Sequence, residues 1–316
     1  MDNLIKIVAV VGPTASGKTK LSVELAKNYN GEIISADSMQ IYKGMDIATA
    51  KPSNDEKCGI RHHLMDFLLP SESYSVACFV EDAKKCVADI VSRNKLPIIA
   101  GGTGLYVDSF LNNVNFSDEK RDDVLTQKLW KIYDDKGIDT LLEMLDGIDK
   151  TTAEKLAPQK NPKRIIRAIE FYKTTGKPIS QQVSESTRVK SPYRAVKIGL
   201  NFSDRQKLYD RINLRVDKMM DDGLLDEAKE VLLSDLSATS VKAIGYKELA
   251  PYIMGKRSLD ECVEKLKQET RRYAKRQITW FKRDKDINWL YVDEYDSFEE
   301  LYKDACQIIE KENIDG

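Results

Sequence analysis

Histidine occurs only twice in this 316-residue chain, at His62 and His63, and none of its five cysteines forms a C-x-x-C pair. Two histidines side by side in a polar loop and the scattered Cys58, Cys78, Cys86, Cys262 and Cys306 lack the spacing of a structural zinc site. An odd, dispersed set of thiols is no disulfide framework either, so a reducing compartment, the cytoplasm, is expected. No catalytic role is expected for His62 or His63. Proline (9) and glycine (16) are scarce, and with 41% hydrophobic and 32% charged residues this excludes a disordered or fibrous chain. Long apolar runs are missing as well. The N-terminal stretch Ile7 to Val11 is too short for a signal-peptide core or a membrane span, so no membrane partner is expected. Net charge is nearly absent, with 50 Lys and Arg against 51 Asp and Glu. Any case for a nucleic-acid partner must therefore rest on local clusters. Nothing marks an oligomer interface, and a monomer is the default expectation.

What is present is strand and helix punctuation. Leu4 to Val11 is a β-branched run, Gly12 to Lys18 is small and flexible, and Thr19 to Asn28 carries Leu21, Leu25 and Ala26 at helical spacing. Glu32 to Ser35 and Leu96 to Ala100 are further short apolar runs, ending in Ala36-Asp37-Ser38 and Gly101-Gly102-Thr103-Gly104. Strands that end in small or polar residues before helical patterns predict parallel βαβ units with ligands at the strands' carboxyl ends. From about Ser117 the pattern changes to short charged helices, such as Asp122 to Lys136 and Pro162 to Thr174. Arg194 to Leu200 then reads as a returning strand, Asp204 to Asp222 and Ser258 to Arg283 as helices, and Ile287 to Val292 as a last strand. The expectation is an α/β fold: a P-loop NTPase-like core, its parallel sheet flanked by helices, over residues 1–116 and 191–316. A helical insertion domain occupies 117–190.

Gly12-Pro13-Thr14-Ala15-Ser16-Gly17-Lys18-Thr19 matches G-x-x-x-x-G-K-[ST] directly after a strand and at the start of a helix. Such a loop turns its backbone N–H groups around phosphate oxygens, Lys18 adds a charge, and Thr19 can hold Mg²⁺ through its hydroxyl. The loop recognises phosphate rather than a base. An ATPase or GTPase would usually carry a metal-binding carboxylate at the end of a neighbouring strand. Here that strand ends in Gly-Gly-Thr-Gly, which weakens the hydrolase reading.

Asp37, after the second strand, can either take a proton from a nucleophile at the loop's rim or cap a helix. Thr103 is flanked by glycines that permit close approach of a substrate, or it caps the next helix. Arg211 and Arg215 share a helix face and could grip a diphosphate, although exposed helix arginines are usually only solvated. Between Thr270 and Arg283 lie six basic residues and no acid, interleaved with Tyr273, Trp280 and Phe281. Lys160 to Lys177 and Lys242 to Lys247 add two more basic segments. Together they suit an RNA backbone with stacking surfaces, and each alone reads as a solvated face.

Gly12 to Thr19, Ser35-Ala36-Asp37-Ser38-Met39-Gln40 running on to Pro52, Gly101 to Tyr106, Arg211-Ile212 with Arg215, and Lys275-Arg276-Gln277-Ile278-Thr279-Trp280 resemble the tRNA dimethylallyltransferase family. The resemblance covers nearly the whole chain in order. It implies transfer of a five-carbon prenyl group from dimethylallyl diphosphate to N6 of the adenosine 3′ to the anticodon. It makes Asp37 the general base and puts Thr103 near the reacting amine. Diphosphate would be held by Gly12 to Thr19 with Arg215 and the supporting Arg211, and Mg²⁺ by Thr19. Contacts to a tRNA anticodon stem-loop are implied for Asp37, Ser38, Met39, Gln40, Thr103, Lys163, Arg164, Ile165, Ile166 and Arg167. The same holds for Lys242, Gly245, Tyr246, Lys247, Lys275, Arg276, Gln277, Thr279, Trp280 and Lys282. The family often has an arginine where this chain has Thr126, which puts that contact in doubt. Prenylation of free adenine nucleotides, a small-molecule P-loop kinase and a non-catalytic RNA-binding protein are the competing readings.

Overall fold

The computed structural model describes residues 4–114, 116, 122–182, 190–237 and 239–312. The main unit, formed by residues 1–111 and 192–316, is built on a parallel sheet. Its strands are β1 (Ile5–Val11), β2 (Gly31–Ser35), β3 (His62–His63), β4 (Leu96–Gly101), β5 (Tyr193–Asn201) and β6 (Ile287–Tyr291), in the order β3-β2-β4-β1-β5-β6. β1 lies between β4 and β5, which is why Ile7 to Val11 is apolar without alternation: both faces are covered. β5 pairs with β1 in the register Val8 to Val196, so the chain rejoins the sheet after the insertion. Helices Lys18–Asn28 and Phe298–Lys311 turn Leu21, Leu25, Leu301, Ala305 and Ile309 onto this sheet at helical spacing. The fold is P-loop NTPase-like.

His62 and His63 correct one expectation. Instead of lying in a polar loop, they pair with Ile33 and Ile34 as the edge strand. Two residues are too few to show any periodicity. His63 is buried and donates from Nε2 to Glu32 at 2.7 Å, while Arg93 and Lys95 also bond the Glu32 carboxylate. Three cationic or polar donors compensate this buried charge and hold its pKa well below the carboxylate range, with Arg93 the main cause.

The second unit, residues 112–191, is helical where it is described: Asp123–Asp146, Lys150–Leu156 and Pro162–Thr175. Leu129, Leu141, Leu145, Ile165 and Ile169 form its core. Pro162 at the first helical position, Asn161 as cap and Gly176 in the left-handed region fix the limits of the third helix. Thr126, in the first, is buried with its hydroxyl on Glu170 at 3.0 Å, so it presents no surface contact. No described helix is long and apolar enough to cross a membrane.

Candidate functional site

The loop between β1 and helix Lys18–Asn28 turns sharply at Gly12, whose φ of +142° and close approach to the Leu200 carbonyl leave no room for a Cβ. Lys18 folds back so that its Nζ donates to the Pro13 carbonyl at 2.6 Å. Its pKa is pulled down to about 7, first by burial and then by the charge of Arg215, with Asp37 working in the opposite direction. Arg215 donates to Thr14 Oγ1 at 3.2 Å and Arg211 to the Ala15 carbonyl at 3.2 Å. Both stand on helix Arg205–Asp221, oriented because Leu208, Ile212 and Val216 bury its other face. Burial lowers the pKa of Arg215 too. Two desolvated basic groups thus lie on one cavity wall beside the phosphate loop, an arrangement that favours a polyanion.

Because burial and the charge of Arg215 pull the Lys18 pKa down to about 7, inorganic diphosphate binding at pH 8 should be accompanied by proton uptake at this residue. Diphosphate affinity should fall roughly tenfold per pH unit above 7 through this group. Calorimetry in buffers of different ionisation enthalpy reads the uptake, taken as the excess over Lys18→Met. Equal uptake by the two proteins would remove Lys18 as its source.

Gln277, on helix Leu259–Phe281, ties the loop down: its Oε1 accepts from Thr14 N at 2.8 Å and its Nε2 donates to the Gly102 carbonyl at 3.0 Å. The space that a Cβ on Gly102 would take is filled by this amide, and that of Gly104 by Trp280. The glycines around Thr103 therefore make room for the protein's own side chains, while Gly101 and Gly102 also line the cavity. Trp280 in turn donates its Nε1 to Asp108 at 2.6 Å.

Asp37 closes the opposite rim. One carboxylate oxygen, Oδ1, accepts from the amides of Met39 at 2.9 Å and Gln40 at 3.4 Å, which fixes the turn after β2. No helix begins there, so Asp37 caps a turn rather than a helix. Oδ2 has no partner among the described residues. Thr103 stands beneath this turn, its hydroxyl accepting from Ser38 N at 3.1 Å, and it does not itself line the cavity. Gln40 donates to the carbonyls of Thr49 and Ala50.

These residues surround a cavity of about 410 Å³. Thr14, Lys18, Thr19, Asp37, Ser38, Met39, Gln40 and Arg215 form its polar wall, with Arg276, Gln277, Gly245 and Lys247 also lining it. Ile33, Met65, Val216, Met219, Leu224 and Leu266 make the apolar part. His62 lines it too. Two roles absent from the sequence reading matter here: the bridge made by Gln277, and that of Glu227, whose carboxylate accepts from the amides of Asp46, Ile47 and Ala48 and from Tyr246 OH. Neither carries a local signal, since each acts across a long sequence separation.

The basic segments are placed unequally. Lys275, Arg276, Thr279 and Lys282 are exposed along helix Leu259–Phe281 and its end, while Gln277 faces inward. Arg276 lies over the Tyr273 ring and Arg283 over the Trp280 ring. Lys247 is exposed and Tyr246 is buried with its hydroxyl on Glu227; the Lys242 side chain lies outside the described set. In the helical unit Lys163, Arg164 and Arg167 are exposed, whereas Ile165 and Ile166 turn into the core.

For a divalent ion, the Thr19 hydroxyl is a hard donor on the wall that also holds Lys18, a position that suits Mg²⁺ beside a diphosphate. The grouping of Glu32, His63 and Asp89 offers less, because Arg93 and Lys95 already fill it.

A family profile described as IPP transferase matches residues 40–284. The tRNA dimethylallyltransferase of Acetivibrio thermocellus is 50% identical over 305 residues, covering 96% of each chain. That of Oceanobacillus iheyensis is 42% identical over 97% of this chain and 98% of its own. Among solved structures, the tRNA isopentenylpyrophosphate transferase of Bacillus halodurans is similar over 98% of both chains at 42% identity, with a TM-score of 0.70. A eukaryotic dimethylallyltransferase captured acting on tRNA superimposes with a TM-score of 0.82 at 30% identity, over 98% of this chain and 80% of its own.

Proposed function

This chain belongs to the IPP transferase family, and on that premise we propose that it transfers a dimethylallyl group from dimethylallyl diphosphate to N6 of the adenosine 3′-adjacent to the anticodon in tRNA. The observation that carries this reading is one cavity holding both a phosphate loop with two desolvated basic groups and a carboxylate with a free oxygen. The adenine amine is a weak nucleophile, because its lone pair is delocalised into the ring. Asp37 Oδ2 takes its proton as N6 attacks the first carbon of the donor. The bond from that carbon to the diphosphate oxygen breaks, helped by allylic resonance. Lys18, Arg215 and the loop amides of residues 15 to 19 meet the growing negative charge, and Arg211 steadies the loop. Thr19 would hold a Mg²⁺ ion, which supplies further charge neutralisation on the diphosphate. Thr103 keeps the Ser38 amide beside the base.

The acceptor adenosine leaves its stack more cheaply in an anticodon loop than in a duplex. Ser38, Met39 and Gln40 with Gly245 and Lys247 form the cavity wall it would meet. Lys275, Arg276, Thr279 and Lys282, and in the helical unit Lys163, Arg164 and Arg167, are the proposed backbone contacts. The cytoplasm, where tRNA and free thiols coexist, is the proposed compartment. Incubation with unmodified tRNA, Mg²⁺ and dimethylallyl diphosphate should give a prenylated adenosine by mass spectrometry. Product from AMP but not tRNA would indicate a free-nucleotide enzyme, and ATP turnover without the donor a kinase.

Replacing Lys275 and Arg276 with Ala should weaken tRNA binding and flatten its salt dependence by about one unit of slope for every phosphate that goes unneutralised. Both side chains are exposed, so the fold should be unaffected. An unchanged slope would show that these charges are only solvated.

A further inference from the structure

We propose that Glu227 is a positioning residue for the acceptor side of the cavity, acting as a clamp on the segment Asp46–Ala48. The proposal rests on the transferase reading above for its catalytic readout. Glu227 stands in the first turns of helix Leu224–Leu233, and four donors converge on its carboxylate. Oε2 accepts from Asp46 N at 2.8 Å and Ile47 N at 2.7 Å. Oε1 accepts from Ala48 N at 2.9 Å and from Tyr246 OH at 2.9 Å. Three successive amides around one carboxylate make a concave anion site, here filled by the protein's own side chain. Charge-assisted bonds of this kind are about twice as strong as neutral ones.

The clamp reaches the chemistry in two steps. Thr49 and Ala50, which follow the clamped amides, accept both N–H bonds of the Gln40 side chain at 3.1 and 3.2 Å. Gln40 also accepts from Ser35 Oγ at 3.2 Å, and its backbone amide reaches Asp37 Oδ1. Holding residues 46–48 therefore holds the carbonyls that orient Gln40 in the turn of the proposed base. On the other side Gly245, with φ +122°, packs its backbone against Ala48, so a Cβ there would meet Ala48 Cβ at 3.1 Å. The same carboxylate thus fixes the wall formed by Ala48, Thr49 and Ala50 against Gly245 and Tyr246, without touching the cavity itself.

Glu227→Gln keeps the shape but turns an N–H₂ group toward backbone N–H donors. Single-turnover prenyl transfer on a preformed tRNA complex should fall on the order of 10²-fold, the scale set by misplacing a reacting group by about 1 Å. Inorganic diphosphate should bind within about twofold of wild type, because the phosphate loop stands apart from the clamp. Glu230→Gln, an exposed carboxylate on the same helix, serves as control and should leave the rate unchanged. Hydrogen exchange supplies a readout independent of turnover: the amides of residues 46–48 should be protected in the wild type and open in Glu227→Gln, with the loop 12–19 unaffected. A wild-type rate in Glu227→Gln, loss of diphosphate binding in parallel with turnover, or fast exchange at 46–48 in the wild type would each overturn the proposal. Absence of prenylated product from the wild type would instead remove the transferase reading, and the exchange data would still decide whether the clamp exists.

Discussion

Asp37→Asn is expected to leave both substrates bound and to lower kcat by roughly 10²- to 10⁴-fold, the usual worth of a positioned general base. The structure separates this effect from a loss of architecture. Oδ1 holds the turn through the amides of Met39 and Gln40, a task that the Asn carbonyl performs equally well. Oδ2 holds nothing among the described residues, and it is this oxygen that becomes an amide nitrogen. A capping role alone would therefore leave the variant nearly as active as wild type. Single-turnover rates on the ternary complex isolate the chemical step from binding and release. A near-wild-type rate would take Asp37 out of the mechanism.

Lys18→Ala is expected to reduce kcat/KM for the prenyl donor on the order of 10²- to 10³-fold, comparable to deleting one preorganised group that meets developing charge. Arg215 and the loop amides remain, so diphosphate binding should weaken rather than vanish. tRNA affinity should be nearly intact, because Lys18 folds back onto the Pro13 carbonyl within the phosphate loop, whereas the proposed backbone contacts such as Lys275 and Lys282 are exposed side chains. The variant should melt no lower than wild type. Burial and Arg215 both disfavour the Lys18 charge in the folded protein, so removing it relieves a cost. Donor kinetics, tRNA binding and thermal melts together test this division. A parallel fall in tRNA affinity would contradict it.

How much of this could be read from the residues depends on how local the signal is. The phosphate loop is legible because its spacing encodes a backbone path, and the five longer strands because each holds adjacent or alternating apolar residues. β3 is not legible: two histidines gain strand geometry only from Ile33 and Ile34 beside them. Reading Lys163 to Arg167 as one block overlooks the turn of about 100° per residue in a helix, which sends Ile165 and Ile166 inward and leaves the charges outside. Tyr246 likewise resembles an exposed aromatic among lysines, yet its hydroxyl is committed to Glu227. Glu227 and the bridge made by Gln277 are invisible for a different reason. A carboxylate or amide on an amphipathic helix looks the same in sequence whether it meets water or backbone N–H groups some 180 or 260 positions away.

The bond from Thr14 N to Gln277 spans 263 positions, which gives the protein a chronology. During synthesis the phosphate loop emerges long before Gln277. At roughly 5–20 residues per second, between about 13 and 50 seconds pass before the side chain that latches it has been made. β5, the neighbour that completes β1, also arrives only after the helical unit has been translated. A nascent chain can thus expose an anion-attracting loop early, but the latch that holds it in shape comes from the helix that also carries Lys275 and Arg276. The donor pocket and the basic face are finished in the same moment of assembly, so no partly made chain holds a latched donor pocket without that face.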